Sequence, residues 1–328
     1  MTVRPARKIR LEDVAEAAGV SRATASRVIS RTGPASPAVQ DRVRNAARQL
    51  GYQPDQVARS LAGGAGFRLV VAIVGTTSRV LDDPYVDRAL AAAAETAAPY
   101  GVGVSLQWLP RRSPRLDRLA EDRSVRGVVL FNTTEATLAG MPAALNRRVA
   151  SIGIGSPSVP SFDVDNGGAA STIVRHLYGI GRRRIAMITG PPWLPCAWRS
   201  VKAYQDLVRS AGLPVRLVAG DFSAAGGQRG MRIVLRRWPD TDAVFAINDA
   251  TALGAIAVLR ETGRLVPDDI AVAGFDDIPF AELSAPALTT ASHPVGAIVS
   301  AAVTAVLDGS RVPPAAVFPS TLVRRASA

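Results

Sequence analysis

The sequence predicts a small all-α head followed by a larger α/β domain of two lobes, each a parallel sheet flanked by helices. Three observations predict this. Before residue 52, apolar residues recur at helical spacing in three short runs. From Leu69 onward, uninterrupted apolar runs of five or six residues alternate with helical stretches, the pattern of strands buried on both faces of parallel sheets. These runs outnumber what one such sheet needs, so two lobes are expected. The boundaries follow as a head at 1–54, a linker at 55–66 and the large domain at 67–328.

In the head, Leu11, Val14, Ala15 and Ala18 mark one helix, which Gly19 ends. Ser21 is placed to cap a second, its side-chain oxygen accepting from a backbone N–H near Thr24. Ala25, Val28 and Ile29 mark the inward face of SRATASRVIS; Arg22, Ala23, Ser26, Arg27 and Ser30 fall on the other. A third helix begins at Ser36-Pro37, a cap followed by proline at the first helical position, and carries Val39, Val43, Ala46, Ala47 and Leu50 before Gly51 closes it. Two short helices joined through glycine with a third packed across them form the helix-turn-helix plan, whose second helix enters the major groove of DNA. A solvated face on a small helical bundle is the alternative.

Charge supports the first reading. The net charge is +12, and residues 1–64 hold eleven Lys or Arg against five Asp or Glu, so half the excess sits in a fifth of the chain. Concentrated positive charge points to nucleic acid. The linker stretch ARSLAGGAG raises a separate question: Arg59-Ser60-Leu61 could begin a helical turn, but Gly63, Gly64 and Gly66 stop it, and so short a helix is unstable alone.

In the large domain the strands read LVVAIV, VGVSL, RGVVLF, RIAMI, VRLVA, AVFAI and IAVAGF, with a helix near 85–98 after the first. Parallel sheets bind ligands at the carboxyl ends of their strands. Polar residues stand at such points: Asn132 after GVVLF, Asn248 and Asp249 after AVFAI, Asp276 and Asp277 after IAVAGF. Carboxylates and amides there can bond sugar-like hydroxyls or cap the following helix.

The quoted segments resemble the lactose-repressor (LacI/GalR) family of bacterial transcription regulators, over nearly the whole chain. The head carries it in LEDVAEAAGVSRATASRVIS, SPAVQDRVRNAARQLGYQP and VARSLAGG; the large domain in FDVDN, FAINDATALGAIAVLRETGRLVPDDIAVAGFDD and PALTTASHP. The resemblance implies base reading by Arg22, Ala23 and Arg27, with phosphate contacts from Ser21, Thr24 and Ser26. It implies a hinge helix at Gln56–Leu61 that forms when two subunits meet on DNA. Leu61 would wedge into the minor groove, and Ala58 is small enough for close approach. Apolar wedges of this kind bend the duplex.

For the large domain it implies a two-lobed, periplasmic-binding-protein-like fold. FDVDN and PALTTASHP would be crossings between lobes, and Phe222, Asn248 and Asp276 effector contacts, with Tyr85 a further candidate. Asp249 and Asp277 are expected as helix caps. Three positions depart from the family pattern. Arg10 stands where Thr or Ser caps the first helix, Asp55 stands where Asn is frequent, and Ser200 replaces a ligand-binding Arg beside Arg199.

The expectation is a cytoplasmic, homodimeric repressor of a near-palindromic operator, controlled by a small, sugar-like effector, with no cofactor. A large domain that serves only to dimerise is the alternative. An enzyme is not expected. Only His176 and His293 accompany the single Cys196, and there is no Walker loop or nucleophile elbow. In GIGRRRIAMITG, Arg184 occupies the third glycine position and the motif precedes a strand, so the dinucleotide context fails. No basic leader with an apolar core and no run of about 20 apolar residues is present, so neither export nor a membrane span is expected.

Overall fold

The computed structural model describes residues 9–30, 33–52, 66–309 and 313–328. The chain divides into two compact units, Met1–Ala65 and Gly66–Ala328. The hinge positions Ala58 and Leu61, and Asp55, lie outside the described residues.

The head contains α1 (Leu11–Ala17), α2 (Arg22–Ser30) and α3 (Pro37–Gln49). Their apolar stripes meet in one cluster: Val14, Ala15 and Ala18, then Ala25 and Val28, then Val43, Ala46 and Ala47. Burial of such faces supplies most of what short helices lack in intrinsic stability. Ser21 Oγ accepts from the Thr24 N–H at 3.1 Å, the capping bond its position predicts. At α1 the missing Thr or Ser is compensated from inside the helix, where the Asp13 carboxylate accepts from the Arg10 N–H at 2.7 Å. Ser36 differs from expectation: its backbone is extended at the α3 start, but its side chain makes no capping bond. Pro37 needs one donor fewer at that end.

The large unit has two parallel sheets. The first runs in the order β11-β5-β4-β3-β1-β2, from β1 (Arg68–Gly75), β2 (Gly103–Pro110), β3 (Val125–Phe131), β4 (Val149–Ile152), β5 (Ser161–Val164) and β11 (Ala315–Phe318). The second runs β7-β6-β8-β9, from β6 (Ile185–Ile188), β7 (Arg216–Val218), β8 (Ala243–Ala246) and β9 (Ala271–Ala273). Every named pairing within them is parallel.

Both faces of the central strands are covered. Along β1, Leu69, Val71 and Ile73 join a core with α4 (Pro84–Ala97) and α12 (Val295–Asp308). The alternate residues Val70, Ala72 and Val74 pack with α5 (Leu116–Glu121). In the second lobe, Ile185 and Met187 face α7 (Asn166–Gly179) and α8 (Pro195–Ser210). Ala186 and Ile188 face α9 (Ala224–Arg237) and α10 (Asp249–Glu261). Each fully buried Val, Leu or Ile contributes roughly 1.5–3 kcal/mol by transfer from water, which is why strands without polar alternation are stable here. A short α6 (Glu135–Ala139) follows β3, and α11 (Pro279–Leu283) follows β9.

The chain passes between lobes three times. It leaves the first lobe at β5 and returns through β10 (Thr290–Ala291) into α12. It then crosses again after β11 as β12 (Leu322–Val323), which pairs antiparallel with β10. FDVDN and PALTTASHP mark the first two; the third crossing and strands β4, β5 and β11 add to the strands read from the sequence. The end of the chain is fixed in the second lobe, where the Ser327 hydroxyl donates to Val272 O at 2.6 Å and accepts from the Thr289 N–H at 2.8 Å.

Tyr204 on α8 tests how the second lobe is held. It is fully buried, its hydroxyl donating to Ile185 O at 2.8 Å and accepting from the Arg216 N–H at 3.0 Å. Tyr204→Phe leaves both groups without that partner and is expected to cost about 1–3 kcal/mol. Urea unfolding should read this as a lower midpoint at unchanged slope.

Candidate functional site

Two surfaces carry chemistry, one in each unit. On the head, Ser21, Arg22, Ala23 and Arg27 are exposed and Thr24 and Ser26 half-buried, so the face of α2 opposite Ala25 and Val28 is open. Arg22 Nε donates to Glu12 Oε1 at 2.5 Å, and Arg27 Nε donates to Ala23 O at 3.3 Å. No other bond of either side chain is made among the described residues. A guanidinium free at both terminal amines can donate two bonds to the O6/N7 edge of guanine.

In the large unit a cavity of about 1030 Å³ lies between the lobes, at the carboxyl ends of the strands. Tyr85 and Asn132 line it from the first lobe; Phe222, Asn248 and Asp276 line it from the second. Asn132, Phe222 and Asp276 have φ of 59°, 69° and 109°, so the backbone there is in a region that costs an ordinary residue about 1–3 kcal/mol. Phe222 lies against Gly190, where an added Cβ would be 2.7 Å from the ring.

Asn248 is the N-cap of α10. Its Oδ1 accepts from the Thr251 N–H at 3.0 Å, and its Nδ2 donates to Phe222 O at 2.9 Å, which fixes the turn that presents Phe222. The capping expectation for Asp249 and Asp277 is therefore corrected. The fully buried Asp249 accepts from the Ile278 N–H at 2.9 Å and from the Thr290 hydroxyl at 2.6 Å, so it staples the loop after β9 to a crossing strand. Asp277 pairs with Arg325 at 2.8 Å, and Ile278 stands at the N-cap of α11.

Asp276 and His293 form a buried pair at the cavity wall, Oδ1 to Nδ1 at 2.9 Å. Burial pushes the Asp276 carboxyl up to about 8, with Arg88 opposing, and pushes the His293 imidazole down to about 4. Asp83, the α4 cap that accepts from the Tyr85 N–H at 3.0 Å, is raised to about 7 by burial and then by the charge of Asp276. Burial likewise raises the Tyr85 phenol. His293 Nε2 is buried and has no hydrogen-bond partner among the described residues. Sequence reasoning missed His293, Asp83 and Asp163, all of which line the cavity. Position at a strand end could have flagged Asp163, the last residue but one of β5.

Arg88, Arg199 and Trp193 tie the lobes across this cavity. Arg88 on α4 donates to Asp276 O at 2.7 Å, to Asp277 O at 3.3 Å and to His293 O at 3.1 Å. Arg199 on α8 donates to Asp163 Oδ2 at 2.6 Å. Trp193, in the loop after β6, packs against the first-lobe cluster and lies beneath the Arg111 guanidinium, 4.8 Å from the ring centre. Ser200 lines the cavity, but its hydroxyl donates to Cys196 O at 3.2 Å, and Arg199 is engaged by Asp163. Burial pushes the Cys196 thiol up to about 12, far from a reactive thiolate.

Residues 10–55 match the family model of bacterial regulatory proteins, lacI family, and residues 174–328 match a periplasmic binding protein-like domain. The transcriptional regulator CelR of Thermobifida fusca is 32% identical over 309 residues, covering 88% of each chain. The ribose operon repressor of Halalkalibacterium halodurans is 29% identical, covering 87% of this chain and 85% of its own. Among solved structures, a CelR–cellobiose complex aligns over 98% of this chain and 100% of its own, with TM-score 0.69 and 28% identity. A lac repressor dimer bound to operator and an anti-inducer aligns over 98% and 99%, with TM-score 0.81 and 24% identity, and supports the fold. With its trihelical head, its two-lobed α/β domain and a relative this similar over this much of its length, the chain belongs to the lacI family of bacterial regulatory proteins, DNA-binding regulators of transcription.

Proposed function

We propose that this protein is a homodimeric, cytoplasmic repressor whose hold on a near-palindromic operator is set by a small, sugar-like effector between its lobes. The cavity at the strand ends carries the proposal: Tyr85 and Phe222 line it with two aromatic rings, and Asn248 and Asp276 add groups that can bond hydroxyls. A volume near 1000 Å³ is at the upper end for small-molecule sites, on the order of 300–1,000 Å³, so an effector larger than one sugar ring fits. The cellobiose named with the CelR relative is of that size. The side chain aligned with the family's ligand-binding Arg is Ser200, and Arg199 is held by Asp163, so neither of these two positions offers a free guanidinium to the ligand.

In the head, Arg22, Ala23 and Arg27 read bases while Ser21, Thr24 and Ser26 hold phosphates. The hinge expectation for Ala58 and Leu61 completes the proposal: the effector alters operator affinity by favouring one lobe arrangement, and the paired hinges order only in the other. Among the described residues no helix is long and apolar enough to cross a membrane. The relatives are transcription regulators, and non-enzymatic action is proposed with them.

The test is selection of bound fragments from random duplex DNA by the purified chain, followed by a screen of neutral saccharides for loss or gain of retention. Recovery of a two-fold symmetric site and a response to at least one saccharide supports the reading. Retention that ignores sequence at about 150 mM salt, where non-specific binding is weak, contradicts it.

A further inference from the structure

We propose that Glu12 is a positioning residue for base reading: it holds Arg22 through Nε, so that both terminal amines of the guanidinium project as a fork toward a guanine edge. This rests on the recognition-helix reading above.

An arginine has five N–H donors in a fixed plane, one on Nε and two on each terminal nitrogen. Bidentate reading of guanine O6 and N7 uses two of them. A long exposed side chain loses rotamer entropy when it binds, and a contact made beforehand lowers that loss. Glu12 makes such a contact at 2.5 Å, from α1 across to the first residue of α2. It uses the Nε donor only. Arg27 follows the same arrangement, with Nε on the Ala23 carbonyl of its own helix. Both arginines are therefore anchored at the elbow and open at the fork.

The pair is exposed, at 71% for Arg22 and 56% for Glu12, and an exposed ion pair does little for stability in water. Its consequence lies in the DNA complex, where the fork must be oriented to donate two bonds at once. The carboxylate keeps its charge: a hydrogen bond at its own backbone and then the Arg22 guanidinium hold its pKa below the usual value. Beside an Arg of the recognition helix, that negative charge also offsets part of the sequence-independent attraction to phosphates. A residue that lowers general affinity while orienting a base reader widens the gap between specific and non-specific binding, the quantity that matters for a regulator.

The two effects have opposite signs, and one experiment separates them. Full-length wild type, Glu12→Ala, Glu12→Gln and Arg22→Ala are each put through selection from random duplex DNA, and affinity for a scrambled duplex is measured alongside. Arg22→Ala identifies the base pair that Arg22 reads. Glu12→Ala is expected to flatten preference at that same base pair by at least fivefold, leave other positions unchanged, and bind scrambled DNA equally or more tightly. Glu12→Gln keeps an oxygen for Nε and is expected to retain most of the preference. An unchanged thermal midpoint in both variants confirms that the head is intact.

Preference in Glu12→Ala within twofold of wild type at the Arg22 base pair overturns the inference, and so does equal loss at every position. If wild type itself selects no sequence, the base-reading proposal fails first, and the two failures are distinguished by that control.

Discussion

Asp276→Ala is expected to abolish the effector response while leaving operator affinity within about twofold. The carboxyl lies at the cavity wall, buried, with one oxygen on His293 Nδ1. Its removal takes away a carboxyl that lines the cavity and leaves a buried imidazole without its partner. A lost partner for a buried polar group costs about 1–3 kcal/mol, comparable to a typical allosteric coupling of about 1–3 kcal/mol. The variant should also be less stable, so the response is compared at a temperature where both proteins are folded. A retained response would place the effector elsewhere.

The same site sets a pH dependence. Asp83, Asp249 and Asp276 are raised by burial to about 7, 8 and 8, so between the ordinary carboxyl range and those values the folded chain binds more protons than the unfolded one. Their stabilising contribution is present at low pH and is lost as pH rises through about 7–8. His293 acts the other way between about 4 and 6.5, where the unfolded chain binds the extra proton. The two trends oppose each other below about 6.5. Above it only the carboxyls remain, and unfolding free energy should fall from about pH 6.5 to 8. Asp276→Asn removes one contributor and is expected to flatten that slope; a slope equal to wild type would count against the assignment.

Arg27→Ala is expected to lower specific operator affinity by about 1–3 kcal/mol, roughly 5- to 150-fold, and to relax preference at one base pair. The side chain is exposed on the open face of α2, so the loss is not a folding effect. Its Nε lies on its own helix and its terminal amines are open. Equal loss on operator and random DNA, measured as titrations at matched salt, would reduce Arg27 to a phosphate contact.

The head was largely legible because its information is local. Helical spacing named the eight residues of its buried cluster, and Ser21 named its cap. Ser36 misled because Pro37 leaves less for a capping side chain to satisfy. In the large domain, runs such as LVVAIV identified themselves as doubly buried strands. β4 and β5 are four residues each and set among prolines and serines, too short for a periodicity to declare itself. β11 is only four residues, Ala-Ala-Val-Phe, alternating exposed and half-buried positions at a sheet edge, too short an apolar run to declare a strand.

In the cavity, strand-end residues could be named from position alone. Arg88 could not, since its partners are carbonyls about 190 to 205 positions away. The capping roles of Asn248 and Asp249 turned on one residue of register: Asn248 holds the cap, which releases Asp249 to bond Ile278 and Thr290.

In the proposed function, one chain couples a sequence-reading head to a ligand cavity. Coupling between two binding sites is reciprocal. The direct measurement is the calorimetric affinity of the full-length protein for the saccharide chosen by the screen, with and without saturating selected operator. Operator is expected to change saccharide affinity by the same factor, about 5–150-fold, by which the saccharide changes operator affinity. Identical saccharide affinity in the two titrations would contradict it.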